Sequence, residues 1–179
     1  MRSLRWLAVI AVALPATAFA DDHRADMNGG GAYANGSHLF GVHAGVAFTV
    51  PHLSPDPHRY WSVIAFETSV QSNGDETRNT LMSGVRYTRA ALKNHDNQKF
   101  FVHAMVGLGQ KGESGQFDND FATAFGGGWE FIWKKHTTTT PVPAEDANGF
   151  RVQFDYVIAQ GETTNFPRFS FSYVRRFKK

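Results

Sequence analysis

The side chains of this sequence that could do chemistry are ionic and imidazole groups set among apolar neighbours: Glu67, Arg86, Glu130, Arg151, Asp155 and Arg168, with His43 and His103. Each lies in a stretch where apolar residues recur at every second position, and parity puts each on the face opposite to them. Carboxylates and guanidinium groups confined to one narrow, low-dielectric space must pair. Such a set forms either an ion pathway or gate, or a salt-bridge plug that fills the space and fixes strand register. The plug is the expectation, because a small closed barrel is filled by its own side chains. Imidazole beside a hydroxyl and an acid would instead suggest acyl chemistry on lipid. Both histidines sit in mid-segment and no His-x-Ser pair lies near a late strand, so no catalysis is expected.

One further arrangement stands apart. If the chain is cut after Ala20, its new start is Asp21-Asp22-His23, a free amine, two amides and an imidazole that can surround Cu(II) or Ni(II) in a plane. Three residues produce this pattern by accident, so an acidic start without metal is the expectation, and no other metal or cofactor is expected.

The cut itself is legible. Arg2 and Arg5 precede an apolar run from Trp6 to Leu14, and Ala18-Phe19-Ala20 offers the small residues a signal peptidase reads, so residues 1–20 read as a secretory signal peptide. Losing Arg2 and Arg5 balances the 18 basic against the 16 acidic residues, which removes the case for nucleic acid. There is no cysteine, so an exported domain must be held by packing and backbone hydrogen bonds. No later stretch approaches the ~20 consecutive apolar residues of a spanning helix.

The elements that must position these groups are strands. Alternation runs through 38–50, 60–71, 80–90, 99–110, 121–133, 149–160 and 165–177, separated by turn-forming clusters such as Ser72-Asn73-Gly74-Asp75. Each segment exceeds the ~9–11 residues with which a tilted strand crosses hydrocarbon. Residues 21–36, containing Gly29-Gly30-Gly31-Ala32-Tyr33-Ala34, read as a flexible lead-in or a weak first strand. One face carries Phe40, Val42, Phe100, Val102, Phe125, Phe131, Phe154, Phe169, Phe171 and Tyr173; the other carries glycine, serine and the charges. A water-facing sheet is normally furnished with long polar side chains, and glycine there would be wasted. The fold predicted over 37–179 is therefore an all-β, antiparallel up-and-down transmembrane β-barrel of about eight strands, seven of them clear, with aromatic residues facing lipid.

With those segments in place, the chain from Ser37 to Phe177 resembles the small outer-membrane barrel domain of opacity-type proteins and the transmembrane part of OmpA-like proteins. The match is carried by Phe101-Val102-His103-Ala104-Met105-Val106-Gly107, by Ala124-Phe125-Gly126-Gly127-Gly128-Trp129-Glu130-Phe131, by Val152-Gln153-Phe154-Asp155-Tyr156 and by Phe169-Ser170-Phe171-Ser172-Tyr173-Val174-Arg175-Arg176-Phe177. The resemblance implies residence in a bacterial outer membrane, in contact with its lipid and lipopolysaccharide. It also implies delivery by periplasmic chaperones and the barrel-assembly machinery, with Tyr173 and Phe177 carrying the aromatic signal of the last strand. Departures are the trailing Lys178-Lys179, the long connection from Lys134 to Asn148 and the missing clear first strand; no peptidoglycan-binding domain is expected after the barrel. The role expected is structural, surface-interacting or that of a minor pore, as a monomer. The alternatives are a soluble periplasmic barrel that holds an apolar ligand and a lipid-modifying barrel enzyme.

Overall fold

The computed structural model describes residues 24–34, 38–50, 53, 59–92, 95–113, 116–133, 147–160 and 165–178. The signal peptide and Asp21-Asp22-His23 lie outside the described residues, as does most of the connection from Lys134 onward.

The elements are β1 (Arg24–Ala34), β2 (Leu39–Thr49), β3 (Arg59–Ser72), β4 (Glu76–Leu92), β5 (His95–Glu113), β6 (Gln116–Trp133), β7 (Ala147–Ala159) and β8 (Phe166–Lys178). Each pairs antiparallel with its neighbours in sequence, and β1 pairs with β8 to close an eight-stranded barrel. The segment left open between lead-in and strand is thus a complete strand of 11 residues, with Gly30 opposite Ser172 and Tyr33 opposite Phe169 across the closing seam. Closure leaves no sheet edge, so every strand finds backbone partners on both sides.

Arg24 and Lys178 mark the lower end of the barrel. Trp133 and Ala147 lie at that end too, so the Lys134 to Asn148 connection emerges beside them. The upper end carries the β3–β4 turn. Between β3 and β4, Asn73 Oδ1 accepts from the backbone N–H groups of Asp75 (3.1 Å) and Glu76 (2.9 Å), and Gly74 takes the left-handed φ of 101° that the turn demands.

Alternation is not unbroken. In β3, Ile64 faces Gly84 but Glu67 faces Met82, so Ala65 and Phe66 together oppose Ser83. This β-bulge flips the parity: Tyr60, Ser62 and Ile64 are buried below it, and Glu67, Ser69 and Gln71 above it.

The faces are sorted as an inside-out protein. Phe40 and Val42 are 67% and 65% exposed, whereas Arg151 and Arg168 are 0% exposed. The exposed apolar side chains belong to every strand and form a continuous outer band, far more than the few hundred Å² of contiguous apolar surface a soluble monomer shows. The interior is stacked in layers. Ala34, Leu39, Ala122, Val157 and Phe166 make an apolar cap at the upper end, with the Arg78 guanidinium over the Phe166 ring at 4.7 Å. Below the cap Ile64, Met82 and Met105 continue the apolar cluster, and the remaining filling is largely ionic.

The inner glycines have a second reason beyond limited lumen space. A Cβ at Gly126 would collide with the Phe154 carbonyl oxygen, and one at Gly128 would strike the Val152 carbonyl oxygen and come within 2.7 Å of the Phe101 ring. The obstacle is mainly the backbone of the adjacent strand. Glycine here lets strands coil tightly around a narrow barrel.

Candidate functional site: an ionic lumen

All six predicted ionic residues and both histidines point into the barrel, and all are buried. The structure divides them between two clusters.

The upper cluster is built on Arg168. Its Nε donates to Asp155 Oδ2 at 2.8 Å, its Nη1 to Ser69 Oγ at 3.1 Å and Thr80 Oγ1 at 3.2 Å, and its Nη2 to both Glu67 and Asp155. Gln153 Nε2 donates to Glu67 Oε1 and Asp155 Oδ2, both at 3.0 Å. His103 Nε2 donates to the other Asp155 oxygen at 2.7 Å, while His43 Nε2 lies 3.8 Å from Glu67 and accepts from Asn28 Nδ2 at 3.1 Å. One guanidinium thus holds two carboxylates from different strands, and a hydrogen-bonding side chain lies on each flank.

The lower cluster joins Glu130, Arg151 and Arg86 to three residues that sequence reasoning did not single out as site residues, Asp26, Tyr60 and Arg176. Asp26 accepts from Arg86 Nη1 at 3.1 Å and Arg151 Nη2 at 3.0 Å; Arg176 Nη2 donates to Glu130 Oε2 at 2.9 Å and Tyr60 Oη at 2.6 Å. Arg151 also approaches Glu130 Oε1 at 3.6 Å. Phe101, a fourth such residue, is buried with the Arg86 and Arg151 guanidinium groups each 5.2 Å from its ring centroid, and its ring stacks on His103 at 5.8 Å. It therefore touches both clusters. Guanidinium over an aromatic face is favourable, the more so out of water.

Burying an ion costs several kcal/mol after relaxation, so these groups are tolerated only because their charges and hydrogen bonds answer one another. They also occupy the space. The cavity among Ala25, Asp26, Thr49, Tyr60 and Arg176 at the lower mouth measures about 10 Å³, room for roughly one water. Large side chains crossing the lumen can register strands and block passage. Both histidines bond or approach carboxylates inside the wall, away from the lipid-facing side.

The two residues expected to carry the assembly signal project outward. Tyr173 is exposed and Phe177, opposite Ala25 at the seam, lies under the Arg175 guanidinium at 5.0 Å from its centroid.

No family model matches the chain, and no curated protein matches it. Among solved structures it is similar to Ail, the attachment invasion locus protein of Yersinia pestis, at 9% identity, with 87% of this chain and 98% of that chain covered and a TM-score of 0.52. Neisserial surface protein A aligns at 12% identity over 88% of this chain and 96% of that chain, TM-score 0.48. The outer membrane enzyme PagL aligns at 16% identity over 88% and 99%, TM-score 0.45. On these matches the resemblance to opacity-type and OmpA-like barrels extends to the fold alone. The likeness to Ail carries the fold: a closed, antiparallel, up-and-down barrel of eight strands.

Proposed function

We propose that this chain is an integral protein of a bacterial outer membrane, with a structural or surface-interaction role and no catalysis, its lumen a salt-bridge plug. The observation that supports this best is the inversion of faces: apolar side chains on the outside of a closed barrel and paired ions within. A soluble barrel would expose that band to water, at a cost of about 25 cal/mol for each Å² of apolar surface. In lipid the cost vanishes, and closure satisfies the backbone where no water is available.

On this reading its partners are outer-membrane lipid and lipopolysaccharide, reached through periplasmic chaperones and the assembly machinery, with Tyr173 and Phe177 as the outward aromatic signal of β8. The lower end would face the periplasm.

Fractionation tests the location. The protein is expected to stay with outer membranes through a carbonate wash and to migrate faster unheated than boiled; quantitative release into the soluble fraction overturns the reading. In planar bilayers the plug predicts no sustained conductance, and regular ohmic steps would favour the minor pore. Expression should leave lipid A and phospholipid masses unchanged. A mass change abolished by His103→Ala or His43→Ala would make the protein an enzyme.

A further inference from the structure

The sequence holds four asparagines that are followed by glycine: Asn28-Gly29, Asn35-Gly36, Asn73-Gly74 and Asn148-Gly149. Such an asparagine can be attacked by its own chain, because the next backbone nitrogen, with no side chain beside it, can reach the amide carbon and close a five-membered ring. The following residue is the same in each case, so an unfolded chain gives them similar rates. The fold does not. Asn35-Gly36 lies outside the described residues, and the other three are held in two different ways.

Asn28 lies in β1, buried, with its Nδ2 donating to His43 Nε2 at 3.1 Å, and Gly29 is paired with Ala44 on one side and Tyr173 on the other. Asn148 lies in β7, where Gly149 is paired with Ile132 and Val174. Ring closure at either place would pull a backbone nitrogen out of the closed sheet.

Asn73 sits instead at the exposed β3–β4 turn. Its Oδ1 accepts from the backbone N–H groups of Asp75 at 3.1 Å and Glu76 at 2.9 Å, and this is the oxygen that becomes an oxyanion when a nucleophile adds to Cγ. Two backbone donors fixed on a developing oxyanion stabilise it strongly. The proton to be lost also has an acceptor, since the Gly74 N–H donates to Ser72 Oγ at 3.2 Å. A Cβ added at Gly74 would meet no atom within 4 Å, so water reaches this side of the turn.

We propose that this turn modifies itself, converting Asn73 to aspartate and isoaspartate while Asn28 and Asn148 persist. The Gly74 nitrogen bonds to Asn73 Cγ, its proton passes through water to the side-chain amide nitrogen, and the old Cγ–N bond breaks to release ammonia. Water then opens the cyclic imide. Breaking the new bond from Cγ to the Gly74 nitrogen gives aspartate; breaking the bond from the backbone carbonyl carbon to that nitrogen gives isoaspartate, whose main chain is one methylene longer. Either product adds a negative charge beside Asp75 and Glu76, and aspartate keeps the two N–H donors in stronger, charge-assisted bonds. Loops carry contacts with other molecules, so the charge this loop presents would change with the age of the protein. The chemistry needs the turn alone and does not rest on the membrane reading.

The test is peptide mass spectrometry of the folded barrel in micelles, sampled over days at mildly alkaline pH, beside the same protein unfolded in guanidinium chloride. Folding is checked by heat-modifiable mobility, and isoaspartate by enzymatic methyl labelling. In the folded barrel Asn73 is expected to convert several-fold faster than Asn28 or Asn148, and no slower than in denaturant, where the three rates should converge. Ser72→Ala should slow Asn73 several-fold in a barrel that stays folded. Equal rates at the three positions in the folded barrel overturn the proposal. So does slower conversion of Asn73 folded than unfolded, since the turn would then protect its asparagine. An unchanged rate in Ser72→Ala overturns it too, because exposure to water would account for the reaction without help from the turn.

Discussion

Arg168 and Asp155 stand opposite each other in the β7–β8 pairing, and their side chains turn into the lumen and meet there, Nε to Oδ2 at 2.8 Å. The pair ties register to electrostatics: slipping either strand by one residue would move one partner to the lipid side. Arg168 also neutralises Glu67, so deleting it strands two carboxylates in a water-poor space.

Replacing Arg168 by Met should therefore destabilise the barrel by about 3–5 kcal/mol, the cost typical of breaking a buried ion pair from one side. Urea unfolding in micelles, followed by tryptophan fluorescence, measures this. Adding Glu67→Gln and Asp155→Asn to the same chain should recover part of the loss, because no uncompensated charge remains. A single variant that unfolds at the unaltered midpoint would mean that water screens the lumen.

Phe101 should matter as much as any ion. Its ring centroid is 5.2 Å from each of the Arg86 and Arg151 guanidinium groups, and its edge covers Gly128, which has no side chain of its own. Phe101→Ala removes a buried aromatic and leaves a cavity, at a cost of about 3–5 kcal/mol. Phe101→Leu, which keeps volume without the π face, should fall in between. Equal stability of the leucine variant and the parent would assign the residue to packing alone.

The glycines separate into two kinds, and substitution distinguishes them. Gly126→Ala forces a Cβ into a neighbouring carbonyl oxygen, whereas the nearest atom to a Cβ at Gly29, the His43 carbonyl oxygen, is 3.7 Å away. Gly126→Ala should cost about 1–3 kcal/mol or prevent assembly, in the manner of overpacking. Gly29→Ala should be neutral, or stabilising by up to about 1 kcal/mol, because alanine loses less backbone freedom on folding. Folded yields after refolding into micelles give the comparison, and equal yields would refute steric coiling as the role of Gly126.

Much of this fold was legible because alternation continues for most of the chain from residue 38 onward, and because charge away from the strand ends keeps to one parity. The first strand was not. Gly29-Gly30-Gly31 has no side chains to assign to faces, so the period vanishes where β1 closes the barrel, and Asp26 was lost with it as the acceptor of two arginines. The bulge was hidden for the opposite reason: Val63-Ile64-Ala65-Phe66 is apolar at both parities, so a flip within it leaves no mark. Parity found which residues face inward, but only register and strand tilt decide which of them meet. The split into two clusters, and the place of Phe101 against both, follow from those and not from spacing.

The outer face provides the sharpest discrimination between a barrel in lipid and one in water. Phe125 is 54% exposed and lies mid-wall, opposite Ala104 on one side and Tyr156 on the other. In a soluble barrel Phe125→Lys would replace an exposed apolar side chain with a solvated one and change stability by no more than about 0.5 kcal/mol. At the middle of a bilayer the same lysine costs about 2–4 kcal/mol, falling towards zero near the interface. Lysine at Trp133, which is exposed on the same strand near the lower end, should therefore cost clearly less than at Phe125. Equilibrium unfolding from vesicles gives both values. A depth dependence in that order requires hydrocarbon against the wall, and identical small effects at the two positions would place the band in water.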